Sequence, residues 1–303
     1  MNTPGNLWVV ILAGGSGSRL APLTVRADGT CVPKQFYRFG GTASMFQRTL
    51  ERARSLVPVS RILPVVLEAH RAFWEPEMGR IPEDNHIVQP LNRGTGFAIL
   101  HALTILLQRD PTALMLVMPS DHGVRDEVVL RRAMADLCRR SREDLDDVLL
   151  LGALPDRAET SYGWIVRSPG SSLRVASVAG LIEKPAAGEA ERLLRAGAMW
   201  STLIFAASVP AMWRLYGAAQ PGWLERFVWS THGGGDADGM LDVYGRLPHL
   251  DFGHDVLAVA ADHLRVVPMA PCGWTDLGTP ERVSAWITAA SQPQFRRELA
   301  QGA

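Results

Sequence analysis

The chain has 303 residues, 47% of them hydrophobic, and its 31 basic side chains balance 31 acidic ones to a formal net charge of zero. Balanced charge and a sequence pI near 7.1 leave no electrostatic footprint for nucleic acid or an anionic membrane surface. Three cysteines (Cys31, Cys138, Cys272), odd in number and free of CxxC spacing, argue against a disulfide framework or a zinc site and for reduced thiols. The length suits one large α/β domain, or a core with a smaller extension.

In chain order, the apolar run Leu7–Ala13 comes first. No basic segment precedes it and glycines follow directly, so it reads as a buried strand, not a signal peptide or a membrane span. The expectation is a soluble cytoplasmic protein. Further strands are expected at Ile62–Leu67, His86–Val88, Leu114–Met118 and Val148–Leu151. Helical patterns lie between them at Ser44–Leu56, Arg71–Met78, Gly96–Gln108 and Asp126–Arg139. The arginines from Arg131 to Arg142 are interleaved with acids and read as a solvated helix face. Strands that are apolar throughout and alternate with helices imply a mostly parallel, Rossmann-like sheet with helices on both faces.

The pattern changes from about Tyr162 onward, and a smaller α+β portion is expected from about residue 156. Tyr162–Val166 and Leu173–Ile182 read as a strand pair around the turn signal Pro169-Gly170. A helix (Gly188–Arg195), an apolar run (Met199–Ala207), two helical segments with Trp213 and Trp223, a last strand (Leu264–Met269) and a closing helix follow. Gly233–Gly239 reads as a surface connection, and residues 292–303 as a loosely attached tail. The expected organisation is one domain over 1–291, with a first portion to about 155 and a second portion beyond it.

Ligands of such sheets bind outside the carboxyl ends of the strands, so the segments just after them carry the chemistry. Leu12-Ala13-Gly14-Gly15-Ser16-Gly17-Ser18-Arg19 follows the first strand. Its glycines let backbone N–H groups turn toward an anion and let a phosphate approach closely. It is neither a Walker loop nor a clean dinucleotide fingerprint. Arg19, at the third glycine position, suits the outer phosphates of a nucleoside triphosphate.

The chain holds two lysines against twenty-nine arginines, and each lysine neighbours a proline, in Pro33-Lys34 and Lys184-Pro185. Where arginine is used so freely, a retained lysine marks a place that needs a compact ammonium on a flexible stem, as phosphate sites do. Asp121, in Pro119-Ser120-Asp121-His122, emerges after the fourth strand, where a carboxylate can hold Mg²⁺ together with substrate phosphate. Asp276 is the candidate second carboxylate, or the two could act as general acid and base. His122 reads as a hydrogen-bonding neighbour. The loosely metal-like spacing of His249, His254 and Asp255 is set aside as a zinc site. Glu183-Lys184-Pro185 offers an acceptor and a donor suited to the hydroxyls and phosphate of a phosphorylated polyol.

Together these segments resemble the sugar-1-phosphate nucleotidyltransferase family, most closely its mannose-1-phosphate guanylyltransferase branch. Pro33-Lys34-Gln35-Phe36, Ser44–Thr49, Gln89–Thr95, Ser120-Asp121-His122, Thr160–Ile165, Ile182–Pro185 and Gly273–Gly278 carry the resemblance in order along nearly the whole chain. It implies that Leu12, Ala13, Gly14, Gly15 and Gly17 wrap the nucleotide, with Arg19 and Lys34 on its phosphates. Gln89, Gly94 and Thr95 would lie near the base, and Asp121 and Asp276 would hold Mg²⁺. Gly163, Glu183 and Ser201 would line the sugar, and Lys184 would grip its phosphate. The implied substrates are a nucleoside triphosphate, GTP first, and a sugar-1-phosphate, and the family also implies a homodimer.

The implied reaction needs no covalent intermediate. A phosphomonoester with a second pKa of about 6 is already ionised at pH 7, so its oxygen attacks the α-phosphorus without a general base. The protein's task is then positioning and charge neutralisation.

The chain departs from the family pattern at three places. The stretch between Leu23 and Pro33 is longer, Ala21 replaces a tryptophan, and Trp200-Ser201-Thr202 replaces Trp-Asn-Ser, which changes the hydrogen bonding open to a sugar. The family's two-domain type carries an isomerase domain after the transferase; none is expected here, and one reaction is expected. The rival readings are transfer between other substrates, a catalytically silent nucleotide-binding regulatory subunit, and, more remotely, a nicotinamide dehydrogenase.

Overall fold

In the computed structural model, which describes residues 6–15, 17–172, 174–232 and 237–290, every apolar run becomes a strand. The first five are β1 (Leu7–Leu12), β2 (Ile62–Leu67), β3 (Ile87–Gln89), β4 (Leu114–Pro119) and β5 (Val148–Ala153). β6 (Gly163–Arg167), β7 (Ala176–Glu183), β8 (Met199–Ser208) and β9 (Leu264–Met269) follow. Among the described residues they form one sheet in the order β3-β2-β1-β4-β8-β5-β9-β7-β6.

Side chains alternate across this sheet with the period of two that a strand imposes. Val10, Leu12, Leu63, Val65, Met115 and Val117 enter one core. Val9, Ile11, Ile62, Val66, Leu114 and Leu116 enter the other. Both cores need a cover of helices. α1 (Met45–Arg54), α2 (Thr95–Arg109), α3 (Glu127–Glu143) and α4 (Ala187–Arg195) are supplemented by α5 (Val209–Ala219). α6 (Pro221–His232), α7 (Ala237–Arg246) and α8 (Pro280–Ala290) complete the set. Phe97 of α2 and Met212 of α5 pack in the first core, and Phe46 of α1 and Leu130 of α3 in the second.

The mostly parallel sheet expected from the sequence is corrected to a mixed one. β1 to β4 pair in parallel, as do β5 and β9. β8 runs antiparallel to β4 and β5 and also touches β6, while β7 runs antiparallel to β6 and β9. An apolar run reads the same in either direction, so periodicity could not reveal the reversal. The helix expected over Arg71–Met78 is one α-turn, Arg71–Trp74, continued as the 3-10 turn Glu75–Glu77. Pro76 cannot supply the N–H that a longer α-helix would need there. Residues 233–236 of the glycine connection, Leu173 at the start of an expected strand, and the 292–303 tail lie outside the described residues. Cys31, Cys138 and Cys272 are free thiols.

The consequence for function is local. β1, β3 and β4 run in one direction, so the segments after them emerge at one edge of the sheet. The loop after β9 reaches the same edge: Gly123 and Thr275 exchange backbone hydrogen bonds of 2.9 Å. This joins the Asp121 turn to the Asp276 loop across 152 residues of sequence separation, the separation of the buried pair Trp274 and His122.

Candidate active site

The glycine loop after β1 is held from below by side-chain amides. Gln35 Nε2 donates to the carbonyls of Ala13 (2.8 Å) and Gly15 (2.9 Å). Asn92 Nδ2 donates to the carbonyl of Gly14 at 3.3 Å, and Asn92 Oδ1 accepts from Gly94 N–H. Carbonyls committed to these amides do not repel an incoming anion, whereas free ones would. Gly17 has φ +61°, and a Cβ there would lie 2.8 Å from Lys34 Cβ and 3.0 Å from Lys34 N. Only glycine lets the loop rest directly on the lysine segment. Arg19 stands exposed on the 3-10 turn Ser18–Leu20.

Lys34 is buried, and its ammonium donates to Asp121 Oδ2 at 3.0 Å and to the backbone oxygen of Asp276. The two candidate carboxylate positions thus meet at one lysine that also supports the glycine loop. Burial opposes ionisation of Asp121, but the Lys34 charge and the hydrogen bond from Lys34 outweigh it and hold the carboxyl below its usual range. His122 is a hydrogen-bonding neighbour, as its position suggested: Trp274 Nε1 donates to its Nδ1 at 3.1 Å. Burial drives its pKa down to about 4, so it stays neutral. Behind this turn, buried Arg52 forks onto Glu127 (2.7–3.2 Å) and donates to the His122 carbonyl.

Asp276 has a cation of its own. Arg282, from the first turn of α8, donates to Asp276 Oδ1 at 2.6 Å and pairs with Glu159 Oε1 at 2.8 Å. Its guanidinium lies 4.4 Å from the centre of the Tyr162 ring. Gly278 N–H also donates to Asp276 Oδ1, at 2.8 Å.

Tyr162 ties this group to the second-half segments. Its carbonyl accepts from Lys184 N–H at 3.1 Å. Its hydroxyl meets Thr275 Oγ1 at 3.2 Å and accepts from Asp276 N–H at 3.4 Å. Trp200 and Trp274 pack edge-on against its ring, 5.1 and 5.3 Å away. Lys184 takes φ +47°, rare for a residue with a Cβ and typical of strained functional positions. Its ammonium lies 3.6 Å from Glu183 Oε1, and both side chains face solvent in part. Gly163 pairs with Glu183 across β6 and β7, and a Cβ on Gly163 would lie 2.5 Å from Glu183 Oε2 and 3.3 Å from Ser201 Cβ. Gly163, Glu183 and Ser201 are therefore one cluster. Ser201 sits where the β5–β8 register shifts, beside Thr202, whose hydroxyl donates to the Leu151 carbonyl at 2.6 Å. Burial raises the Glu183 pKa, Lys184 opposes it, and the Asp251 carboxylate adds to it.

The third expected group divides. Gln89 Oε1 faces Gly14, 3.2 Å from where a Cβ would stand. Gly94 and Thr95 instead serve the segment around Leu250. A Cβ on Gly94 would be 2.3 Å from the Leu250 carbonyl, and Thr95 Oγ1 accepts from Phe252 N–H at 2.9 Å. That segment ends near Glu183: a Cβ on Gly253 would lie 3.3 Å from Asp251 Oδ1 and 3.8 Å from Glu183 Oε2. His254 is exposed and pairs with Asp255 at 2.7 Å. Sequence reasoning gave no role to Gln35, Asn92, Tyr162, Tyr244, Asp251 or Arg282. The one usable signal was that Gln35, Asn92 and Tyr162 lie inside the motifs that carry the resemblance.

A sheet whose strand ends gather a glycine loop, a lysine and two carboxylates suits chemistry on phosphates. Residues 8–223 match the family model described as nucleotidyl transferase. The chain belongs to that family. It is 32% identical over 203 residues to the alginate biosynthesis protein AlgA of Pseudomonas putida, covering 65% of this chain and 40% of AlgA. It is 30% identical over 304 residues to the mannose-1-phosphate guanylyltransferase ManC of Salmonella typhimurium, covering 95% of this chain and 60% of ManC. Among solved structures it resembles a mannose-1-phosphate geranyltransferase from Thermus thermophilus, with TM-score 0.77, 31% identity, and coverage of 90% of this chain and 76% of that one. The chain thus spans about half the length of the curated relatives, 40% of AlgA and 60% of ManC.

Proposed function

We propose that the protein transfers a nucleotidyl group from a nucleoside triphosphate, GTP in first place, to a sugar-1-phosphate, mannose-1-phosphate in first place. An oxygen of the sugar phosphate forms a bond to the α-phosphorus, the bond from that phosphorus to the β-phosphate bridge breaks, and pyrophosphate leaves with the electron pair. The observation that carries this reading is the junction at Lys34, where the glycine loop, Asp121 and Asp276 converge. The names of ManC and its relatives support GTP and mannose-1-phosphate as the first pair to test.

In this reading Leu12 to Gly17 wrap the triphosphate, Arg19 meets its outer phosphates, and Lys34 supports the loop and balances charge. Lys184 holds the sugar phosphate while Glu183, Gly163 and Ser201 line the sugar. Asp121 and Asp276, held meanwhile by Lys34 and Arg282, are the residues that would hold Mg²⁺, which takes one or two carboxylates and fills its shell with phosphate oxygens and water. Bound there, the ion would neutralise charge between two anionic substrates. Residues to about 155 serve the nucleotide and those from about 156 to 291 the sugar, and two copies of the chain are proposed to pair.

The test is pyrophosphate release with Mg²⁺, crossing GTP, ATP, UTP, CTP and dTTP against mannose-1-phosphate and glucose-1-phosphate. Release with GTP and mannose-1-phosphate alone is expected. Release with another pair moves the substrate and keeps the chemistry. Silence in every combination, from folded protein, refutes the reading. Light scattering tests the pairing.

A further inference from the structure

Behind Gln89 lies a polar chain that the proposed chemistry does not use. Gln89 is 2% exposed, and its Nε2 donates to the hydroxyl of Tyr244 at 3.2 Å. That hydroxyl is 2.9 Å from His101 Nδ1. Tyr244 is fully buried, its ring packed against Phe227 at 5.9 Å and His101 at 6.0 Å. Arg93, next to Gly94, donates to the carbonyls of Tyr244 (2.7 Å) and Gly245 (3.1 Å), which fixes the end of α7 against the strand-end segment.

A primary amide has two unlike ends, and a buried amide turns whichever way its partners dictate. A neutral histidine accepts at Nδ1 when its proton is on Nε2. Tyr244 then gives its one proton to His101, and its oxygen is left to accept from Gln89 Nε2. Burial keeps His101 neutral, with a pKa of about 4. The Gln89 NH2 is thereby occupied, and Oε1 is the end that faces Gly14.

We infer that Tyr244, steered by His101, is a positioning residue for nucleobase choice: it holds the Gln89 amide so that an oxygen, not an NH2, meets the base. The inference rests on the proposed nucleotidyl transfer and on the placing of Gln89 near the base that the family resemblance implies. An acceptor at that place rewards a base edge that donates, such as the N–H groups of guanine, and is repelled by a bare lone pair such as N1 of adenine. The selectivity device thus lies one shell behind the site, on a helix far along the chain.

The experiment compares Tyr244→Phe and His101→Leu with the wild-type full chain, measuring kcat and KM for GTP and ATP at saturating sugar phosphate. Removing the hydroxyl leaves the amide free to rotate. Removing the imidazole instead lets Tyr244 donate to Gln89 Oε1 and turns the NH2 toward the base. Both variants should raise the KM for GTP and lower the GTP:ATP ratio of kcat/KM, about tenfold for one lost hydrogen bond. Values of kcat and of the sugar-phosphate KM should hold. His101→Leu should erode the ratio further. If Tyr244→Phe does not fold, His101→Leu decides alone. Ratios within about twofold of wild type, the size of change below one hydrogen bond, overturn the inference while the enzyme's use of GTP stands. A wild-type chain that ignores GTP overturns both the inference and the reading beneath it.

Discussion

Replacing Arg282 by methionine tests whether Asp276 stands between two competing cations. Arg282 contacts Asp276 and Glu159 at 2.6 and 2.8 Å, and its own side chain is 13% exposed, against 13% for Glu159 and 23% for Asp276. Methionine keeps an apolar stem over Tyr162 and removes the guanidinium. Unit charges about 4 Å apart attract by about 4 kcal/mol at an effective dielectric of 20, and solvent at Asp276 reduces this to about 2 kcal/mol. Two carboxylates lose their shared partner, so the fold should weaken by about 2–3 kcal/mol and the Tm fall by roughly 3–5 °C. The same change frees Asp276 for a metal ion. Loss of a competitor of about 2 kcal/mol tightens divalent-ion binding roughly 30-fold. Thermal unfolding reads the first effect, and a Mn²⁺ titration followed by electron paramagnetic resonance, with nucleotide present, reads the second. The two should move in opposite directions. Ion binding that weakens along with stability would refute the competition and leave Arg282 as a scaffold for Asp276.

Three further outcomes are expected. Gln35→Leu takes the donors from two loop carbonyls, so the nucleotide KM should rise about tenfold with an unchanged sugar-phosphate KM; equal rises in both would deny the loop role. Gly163→Ala puts a methyl group 2.5 Å from Glu183 Oε2, so the sugar-phosphate KM should rise while nucleotide binding, measured by calorimetry, stays the same. His122 is buried and His101 half-buried, both with pKa values of about 4 against 6.5 unfolded. The unfolded chain binds more protons between these values, so their contribution is complete above about pH 6.5 and lost as pH falls toward 4. Thermal melts across that window should show the decline, and His101→Leu should flatten it; an unchanged slope in the variant would rule out His101 as a source.

The places where chemistry gathers were legible in the sequence because strand ends announce themselves: an apolar run, then glycine or charge. That pattern located the glycine loop and Asp121, with Asp276 named only as a candidate second carboxylate. The structure brings the loop, Asp121 and the backbone of Asp276 to Lys34. The residues that hold them were not legible. Tyr162 reads as one more strand residue, and its role appears only when its carbonyl meets Lys184 and its hydroxyl meets Asp276. Arg282 is one arginine among twenty-nine, and only folding brings it to Asp276. Thr95 sits in a motif segment, yet its hydroxyl turns to Phe252, 157 residues away. Contacts of this kind leave no local period or composition to read. Strand direction was hidden for a different reason, since Met199–Ser208 is apolar whichever way it runs.

The reversed strand β8 has a mechanical consequence. It is hydrogen-bonded to β4 on one side and β5 on the other, and touches β6 at its first residues. A hinge needs a seam crossed by few bonds, and any cut between the first-half strands and the second-half strands of this sheet would have to tear whole ladders. The molecule works as an anvil, not a jaw. On the proposed reading, the spacing between the nucleotide loop and the sugar-phosphate cluster would be set when the chain folds, and substrates would enter and leave by movement of loops. X-ray scattering profiles recorded with and without both substrates should therefore superimpose.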